Sequence, residues 1–103
     1  MLVVTNTIKV KEGHGATLAQ RFGGASGVQA MPGFVRLEVW HSAAKEGVEE
    51  LKVCTVWENE EAFKGWTASP SFRESHRGAG GNEVILGASL DKYELVISRQ
   101  PEQ

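Results

Sequence analysis

Apolar and polar residues alternate over residues 2–10, and this period of two predicts a first β-strand. Asn6 interrupts the apolar face of that strand, because its side chain points to the same side as Val4 and Ile8. Burying an amide without a hydrogen-bond partner costs about 1–3 kcal/mol. A neighbouring backbone group, a buried water or a ligand in an apolar pocket would each offset that cost.

The patterns along the rest of the chain predict two helical regions and three more strands. The first helical region runs from residue 16 to about Phe22, beyond which Gly23 and Gly24 weaken the helical pattern. Asn59 is the predicted N-cap of the second region, and Pro70 begins a further helical segment within it. The three strands are predicted over residues 34–41, 51–58 and 89–98, with a polar loop at 42–50.

This order of strand, helix, strand, strand, helix and strand predicts an α+β, ferredoxin-like (βαββαβ) fold. In that fold the helices cover one face of an antiparallel sheet. A chain of 103 residues fits a single domain over 1–103. The other face of the sheet would be uncovered in a monomer. Trp40 and Trp57 are predicted to be either core residues or interface residues that cover this face by meeting a second copy in a homodimer.

Composition excludes several classes of function. A net charge of −2 with scattered basic residues argues against a phosphate-binding surface, so no nucleic-acid partner is predicted. No apolar run approaches the roughly 20 residues that a membrane-spanning helix needs. Cys54 is the only cysteine, so no intrachain disulfide can form, and its position in a strand predicts a small core residue. We therefore predict a cytoplasmic protein without a membrane partner.

His76 is the strongest candidate for chemistry. It lies four residues after Phe72 on a predicted helix face, just before a glycine-rich loop at 77–82 that we interpret as a lid. An imidazole at the edge of an apolar pocket can ligate a metal or a haem iron. The alternative is a surface histidine that caps a helix C-terminus. The three histidines are too far apart in sequence for a zinc site.

Trp66 and Phe63 share a face of the preceding helix, and core packing is the simpler reading of this pair. In the predicted fold, however, Asn6, Trp66 and His76 can converge between the sheet and the second helical region. An apolar, aromatic-lined cleft with one imidazole and one amide suits a flat apolar macrocycle that holds iron.

From Val3 to about Ile97 the chain resembles the IsdG-type haem-degrading monooxygenases of the antibiotic-biosynthesis-monooxygenase (ABM) superfamily. The specific part of the resemblance is the trio of Asn6, Trp66 and His76 at their positions in the chain. The matching stretches are Val4–Thr7, Arg21–Phe22, Met31–Phe34, Thr55–Glu58, Glu61–Phe63 with Trp66, and Ser69–Pro70 through Phe72 to His76.

The resemblance implies a role for each of these residues. His76 would be the axial ligand of the haem iron, and Asn6 would donate a hydrogen bond on the opposite, distal side. Trp66 would press on the porphyrin and ruffle it. The haem pocket would be lined by Phe22, Phe63 and Phe72. The implied assembly is a homodimer whose two sheets join in an α/β barrel, with one haem in each subunit.

The resemblance also implies an activity. A haem oxygenase of this type opens the porphyrin with dioxygen and releases iron and a tetrapyrrole product. No flavin or nicotinamide motif is present, so we expect an external electron donor, either a reductase or a small reductant. Two alternatives remain open at this point. One is a cofactor-free ABM-type monooxygenase acting on an aromatic polyketide or quinol, and the other is a non-catalytic haem-binding carrier or sensor.

Overall fold

The fold is a four-stranded antiparallel sheet with helices on one face. The computed structural model describes residues 1–22, 27–70, 72 and 85–101. The strand order in the sheet is β2-β3-β1-β4. The elements are β1 (Leu2–Lys11), α1 (Gly15–Phe22), a 3-10 turn (Val28–Ala30), β2 (Phe34–Lys45), β3 (Val48–Trp57), α2 (Glu60–Thr67) and β4 (Ile85–Glu94). This topology confirms the predicted ferredoxin-like fold.

The β2–β3 connection is shorter than the sequence predicts. The expected loop at 42–50 is wrong, because both strands continue to a tight turn at Glu46 and Gly47. Both turn residues have positive φ angles, 53° and 79°. A two-residue turn with positive φ at both positions matches the twist of the flanking strands. Glutamate is unusual there, so the local sequence gives little sign of the turn.

Strand β4 lies four residues earlier than predicted. It spans Ile85–Glu94 instead of 89–98, and its pairing with β1 shifts register between Lys9 and Val10. The last hydrogen bond along this edge runs from the N–H of Leu95 to the carbonyl of Met1, at 2.9 Å.

The N-cap prediction for α2 is confirmed. The Asn59 side chain accepts a hydrogen bond from the backbone N–H of Ala62 at 2.9 Å. Glu60 and Glu61 occupy the first turn, where negative charge complements the helix dipole. Pro70 and Phe72 have helical backbone. His76 and the glycine-rich loop at 77–82 lie outside the described residues.

The core between the sheet and the helices consists of two clusters of buried side chains. Trp57 is fully buried in the first of them. Of the two predicted roles of Trp57, the core role is confirmed and the role on the opposite face is wrong, because Trp57 pairs with Leu2 on the helix-facing side. Trp40 does lie on the opposite face and is 51% exposed. The first cluster comprises Val4, Val28, Trp57 and Trp66, and the second comprises Ile8, Val10, Leu18 and Leu51.

Candidate functional site

Asn6 lies between the two core clusters. Its neighbours on the same face of β1 are Val4, which belongs to the first cluster, and Ile8, which belongs to the second. Val4 and Ile8 are both buried, whereas Asn6 is only half-buried. The expectation of a buried amide is therefore wrong. The core is interrupted at Asn6, so this side chain keeps contact with solvent.

The row of residues that contains Asn6 crosses the whole sheet, and within it Val53 packs against the second cluster. Asn6 pairs with Val53 on β3 and with Leu90 on β4, and Val53 pairs in turn with Val39 on β2. Residues directly opposite each other in antiparallel strands point to the same face. These four residues therefore form one transverse line on the helix-facing side, which we call the central row. No member of the central row is buried, and Leu90 is 56% exposed.

On the Val4 side of the central row, the polar side chains of Thr55 and Trp57 are hydrogen-bonded. The indole N–H of Trp57 donates to the Thr55 hydroxyl at 3.0 Å, and that hydroxyl donates to the Val4 carbonyl at 3.4 Å. Among the residues that the structure describes, the side chain of Asn6 makes no hydrogen bond, and it is half-buried. The amide of Asn6 is therefore available to a ligand above the central row.

Trp66 lies on α2 and is buried, with 7% of its surface exposed. It belongs to the same cluster as Val4, the neighbour of Asn6. The half-buried Phe72 ring meets the indole edge-on, with the ring centroids 5.5 Å apart. The structure thus brings Trp66 and Phe72 together at the end of the first cluster. Their packing roles are evident, and their predicted roles toward a ligand stay predictions.

Phe63, one turn before Trp66, joins α2 to the sheet. Its ring packs against Trp57 with centroids 6.0 Å apart, and the Lys92 ammonium lies 5.4 Å from its centroid. Lys92 also pairs with the Glu60 carboxylate at 2.9 Å. The hydrogen bond from Lys92 holds the pKa of Glu60 below its usual value. Phe63 is therefore held between the core and a lysine of β4.

Two predicted site residues cannot be placed beside this row. The backbone of Phe22 forms the end of α1, but its side chain is outside the description, as is His76. The convergence of His76 with Asn6 and Trp66 therefore remains a prediction. Sequence reasoning also missed Val53 and Leu90 as neighbours of Asn6. Knowledge of the strand register would have identified both residues, since each pairs directly with Asn6.

The remaining titratable groups do not form a metal site within the described part of the chain. There, no group of three or more histidine, cysteine, aspartate or glutamate side chains could hold a metal ion. Cys54 is a buried free thiol, as predicted, and burial raises its pKa. No helix in the described ranges is both long and apolar enough to cross a membrane.

Comparison with known proteins identifies the family. The antibiotic biosynthesis monooxygenase family matches residues 1–78. The chain belongs to the antibiotic biosynthesis monooxygenase family. This ABM protein is 37% identical over 102 residues to a protein of Bacillus thuringiensis (strain Al Hakam) named heme-degrading monooxygenase. That match covers 98% of the chain and 95% of the relative.

Solved structures of two other proteins share the fold. The heme-degrader MhuD of Mycobacterium tuberculosis, with two hemes bound in its active site, is 34% identical with a TM-score of 0.73. The match covers 97% of this chain and 100% of that one. A monooxygenase of Streptomyces coelicolor in complex with nanaomycin D has a TM-score of 0.75 at 18% identity, covering 98% and 92% of the two chains. At that identity the likeness concerns the fold alone.

Proposed function

We propose that this ABM protein is a haem-degrading monooxygenase that binds haem above the central row and opens the porphyrin. The single observation behind the proposal is the interrupted core. Asn6 presents an unpaired amide, within the described structure, on an apolar strip between two packed clusters. Such a strip suits a flat apolar ring, and the amide suits a polar ligand near its centre. The relatives at 37% and 34% identity support the same substrate.

The side chains of this protein would bind, orient and shield the substrate. Val53 and Leu90 would contact the ring on either side of Asn6, and Asn6 would donate a hydrogen bond on the distal side. Trp66 would limit the ring at the edge of the first cluster. His76 would hold the haem iron from the opposite side, as the resemblance implies.

The chemistry beyond positioning comes from the substrate and from small co-substrates. Haem supplies the iron centre that activates dioxygen when it is bound. The electrons are expected from a reductase or a small reductant outside the chain. The proposed products are iron and an opened tetrapyrrole. We propose the cytoplasm as the compartment and residues 1–103 as one ABM-type domain.

We also propose a homodimer formed through the sheet face that the helices leave uncovered. Trp40 and Tyr93 are 51% and 54% exposed there. On the same face Arg36 and Glu38 form an ion pair at 3.3 Å, and the Trp40 indole donates to Glu38 at 3.0 Å. Aromatic residues mixed with charges of both signs are typical of a surface that can pair with a copy of itself. The two sheets would then face each other in a barrel.

The test is a haem titration followed by a reaction in air. We expect a saturable Soret change on adding haem. Ascorbate in air should then bleach the band and yield a tetrapyrrole identified by mass. His76→Ala should abolish turnover, and His14→Ala is the control for loss of a histidine outside the predicted pocket. A parental protein without a saturable Soret change would contradict the proposal. Haem binding without bleaching would favour a carrier or sensor.

A further inference from the structure

Leu90 is the most exposed residue of the central row. It lies on β4, directly opposite Asn6, and 56% of its surface is exposed. Burying a leucine side chain is favourable, so an apolar residue on the core side of a sheet normally has cover. Here, within the described structure, neither core cluster includes Leu90.

The neighbouring position on β4 shows that the lack of cover is local. Lys92 points to the same face as Leu90, and it reaches the Phe63 ring and the Glu60 carboxylate of α2. The layer formed by α2 therefore extends over β4 as far as Lys92. At Leu90, which precedes Lys92 by two positions in β4, this helix no longer covers the sheet.

The opposite neighbour of Asn6 differs from Leu90 in size and in setting. Val53 lies on the inner strand β3 and is half-buried, whereas β4 is the last strand in the order β2-β3-β1-β4. A ring above Asn6 would meet a smaller, half-buried side chain on one side and a larger, exposed one on the other. The exposed side is where a side chain can change without disturbing the core.

We infer that Leu90 is a specificity-determining residue that contacts the macrocycle beside Asn6 and limits how far the ring extends toward the β4 edge. The inference rests on the proposed function, because it assigns a contact within the same site. The ligand class is a flat apolar tetrapyrrole, whose face an aliphatic side chain can cover. Leu90 acts through binding and position, and no proton or electron passes through it.

The experiment compares haem titrations of the full chain with substitutions at Leu90 and at a matched control. Leu90→Asp should raise the apparent Kd for haem at least about tenfold, because it replaces an apolar contact by a carboxylate. Leu90→Ala should raise the apparent Kd about threefold, and Leu90→Met should leave it at the parental value. Val96→Asp adds the same charge at a residue that is 81% exposed and outside the central row. Its Kd should stay within about twofold of the parental value.

The stability of each variant separates binding from folding. Leu90→Asp and Val96→Asp should unfold at nearly the same urea concentration as the parental protein, since both sites are exposed. If parental protein binds haem and Leu90→Asp binds it equally well, the inference about Leu90 is wrong while the proposed function stands. If the parental protein shows no saturable Soret change, the proposed function fails first.

Discussion

The Glu49 carboxylate contacts the Nε2 atom of His41 and also accepts the backbone N–H of Gly13. Glu49 is a β3 residue with only 7% of its surface exposed, whereas Gly13 precedes α1. The hydrogen bond from Gly13 lowers the pKa of Glu49, followed by the contact with His41. One side chain therefore fastens the start of α1 to two strands of the sheet.

Replacing Glu49 by glutamine should destabilise the protein at neutral pH. A carboxyl whose pKa is lowered on folding contributes stability above its unfolded pKa, about 4.5, and loses it as the pH falls through the folded value. The stability gap between parental protein and Glu49→Gln should therefore narrow in acid below about pH 4.5. Urea unfolding of both proteins at several pH values, from about pH 3 to about pH 7, measures this difference in stability. Glu50→Gln, at the next position of β3, is the control, and an equal loss there would contradict the assignment.

Gly33→Ala should cost more stability than Gly13→Ala, although both glycines have positive φ angles, 80° and 93°. A Cβ at Gly13 meets no atom within 4 Å, so only backbone strain of about 1–2 kcal/mol is expected. A Cβ at Gly33 would lie 2.5 Å from the Cβ of Ala62. Overpacking adds about 1–3 kcal/mol there. Equal unfolding midpoints for the two variants would show that α2 can move away from Gly33.

Asn6→Val should make the protein more stable and less active. The substitution places a good strand former between Val4 and Ile8, and we expect a gain of about 0.5–1 kcal/mol in unfolding free energy. Haem should still bind, but turnover should fall at least about tenfold if the amide acts on the distal side. Thr7→Val, on the opposite face of β1, is the control and should keep full turnover. Undiminished turnover in Asn6→Val would remove the proposed role of Asn6.

Trp66 should respond differently to alanine and to phenylalanine. Trp66→Ala removes a buried indole and should cost about 3–5 kcal/mol of unfolding free energy. Trp66→Phe keeps an aromatic partner for Phe72 and should remain folded. If the indole also shapes the substrate, Trp66→Phe should bind haem with an altered Soret maximum and turn over more slowly. Parental spectra and rates in a folded Trp66→Phe would leave Trp66 with a packing role only.

Trp40→Glu should weaken the proposed homodimer. The substitution puts a negative charge beside Glu38 on the uncovered face, where Trp40 is 51% exposed. Sedimentation at several protein concentrations should then show a shift toward monomer, with circular dichroism unchanged. Ala68→Glu, at the C-cap of α2, is the control on the helical side of the sheet. A parental protein that sediments as a monomer would contradict the dimer itself.

Local patterns were sufficient to predict the element order and the face on which Asn6 lies. The period of two in β1 places Asn6 with Val4 and Ile8, and the Asn59 signal marks the start of α2 correctly. These features depend on residues close in sequence. For the same reason the ferredoxin-like topology followed from the order of strands and helices alone.

The remaining features depend on residues that are distant in sequence. Leu90 and Val53 meet Asn6 only because β1 pairs with both β3 and β4 in one particular register. Neither the register shift between β1 and β4 near Lys9 nor the positive φ angle of Glu46 is indicated by a local sequence pattern. The half-buried state of Asn6 likewise reflects where the packed clusters end, which is decided by tertiary contacts of α1 and α2.

The break in the core between Val4 and Ile8 gives the middle of the sheet less apolar packing than the two clusters beside it. A flat ligand inserted there would act as an additional piece of hydrophobic interior, and any compound that binds only the folded chain raises its resistance to unfolding. Proteases act on the opened state, so the lifetime of this protein in a cell would follow the supply of its own substrate.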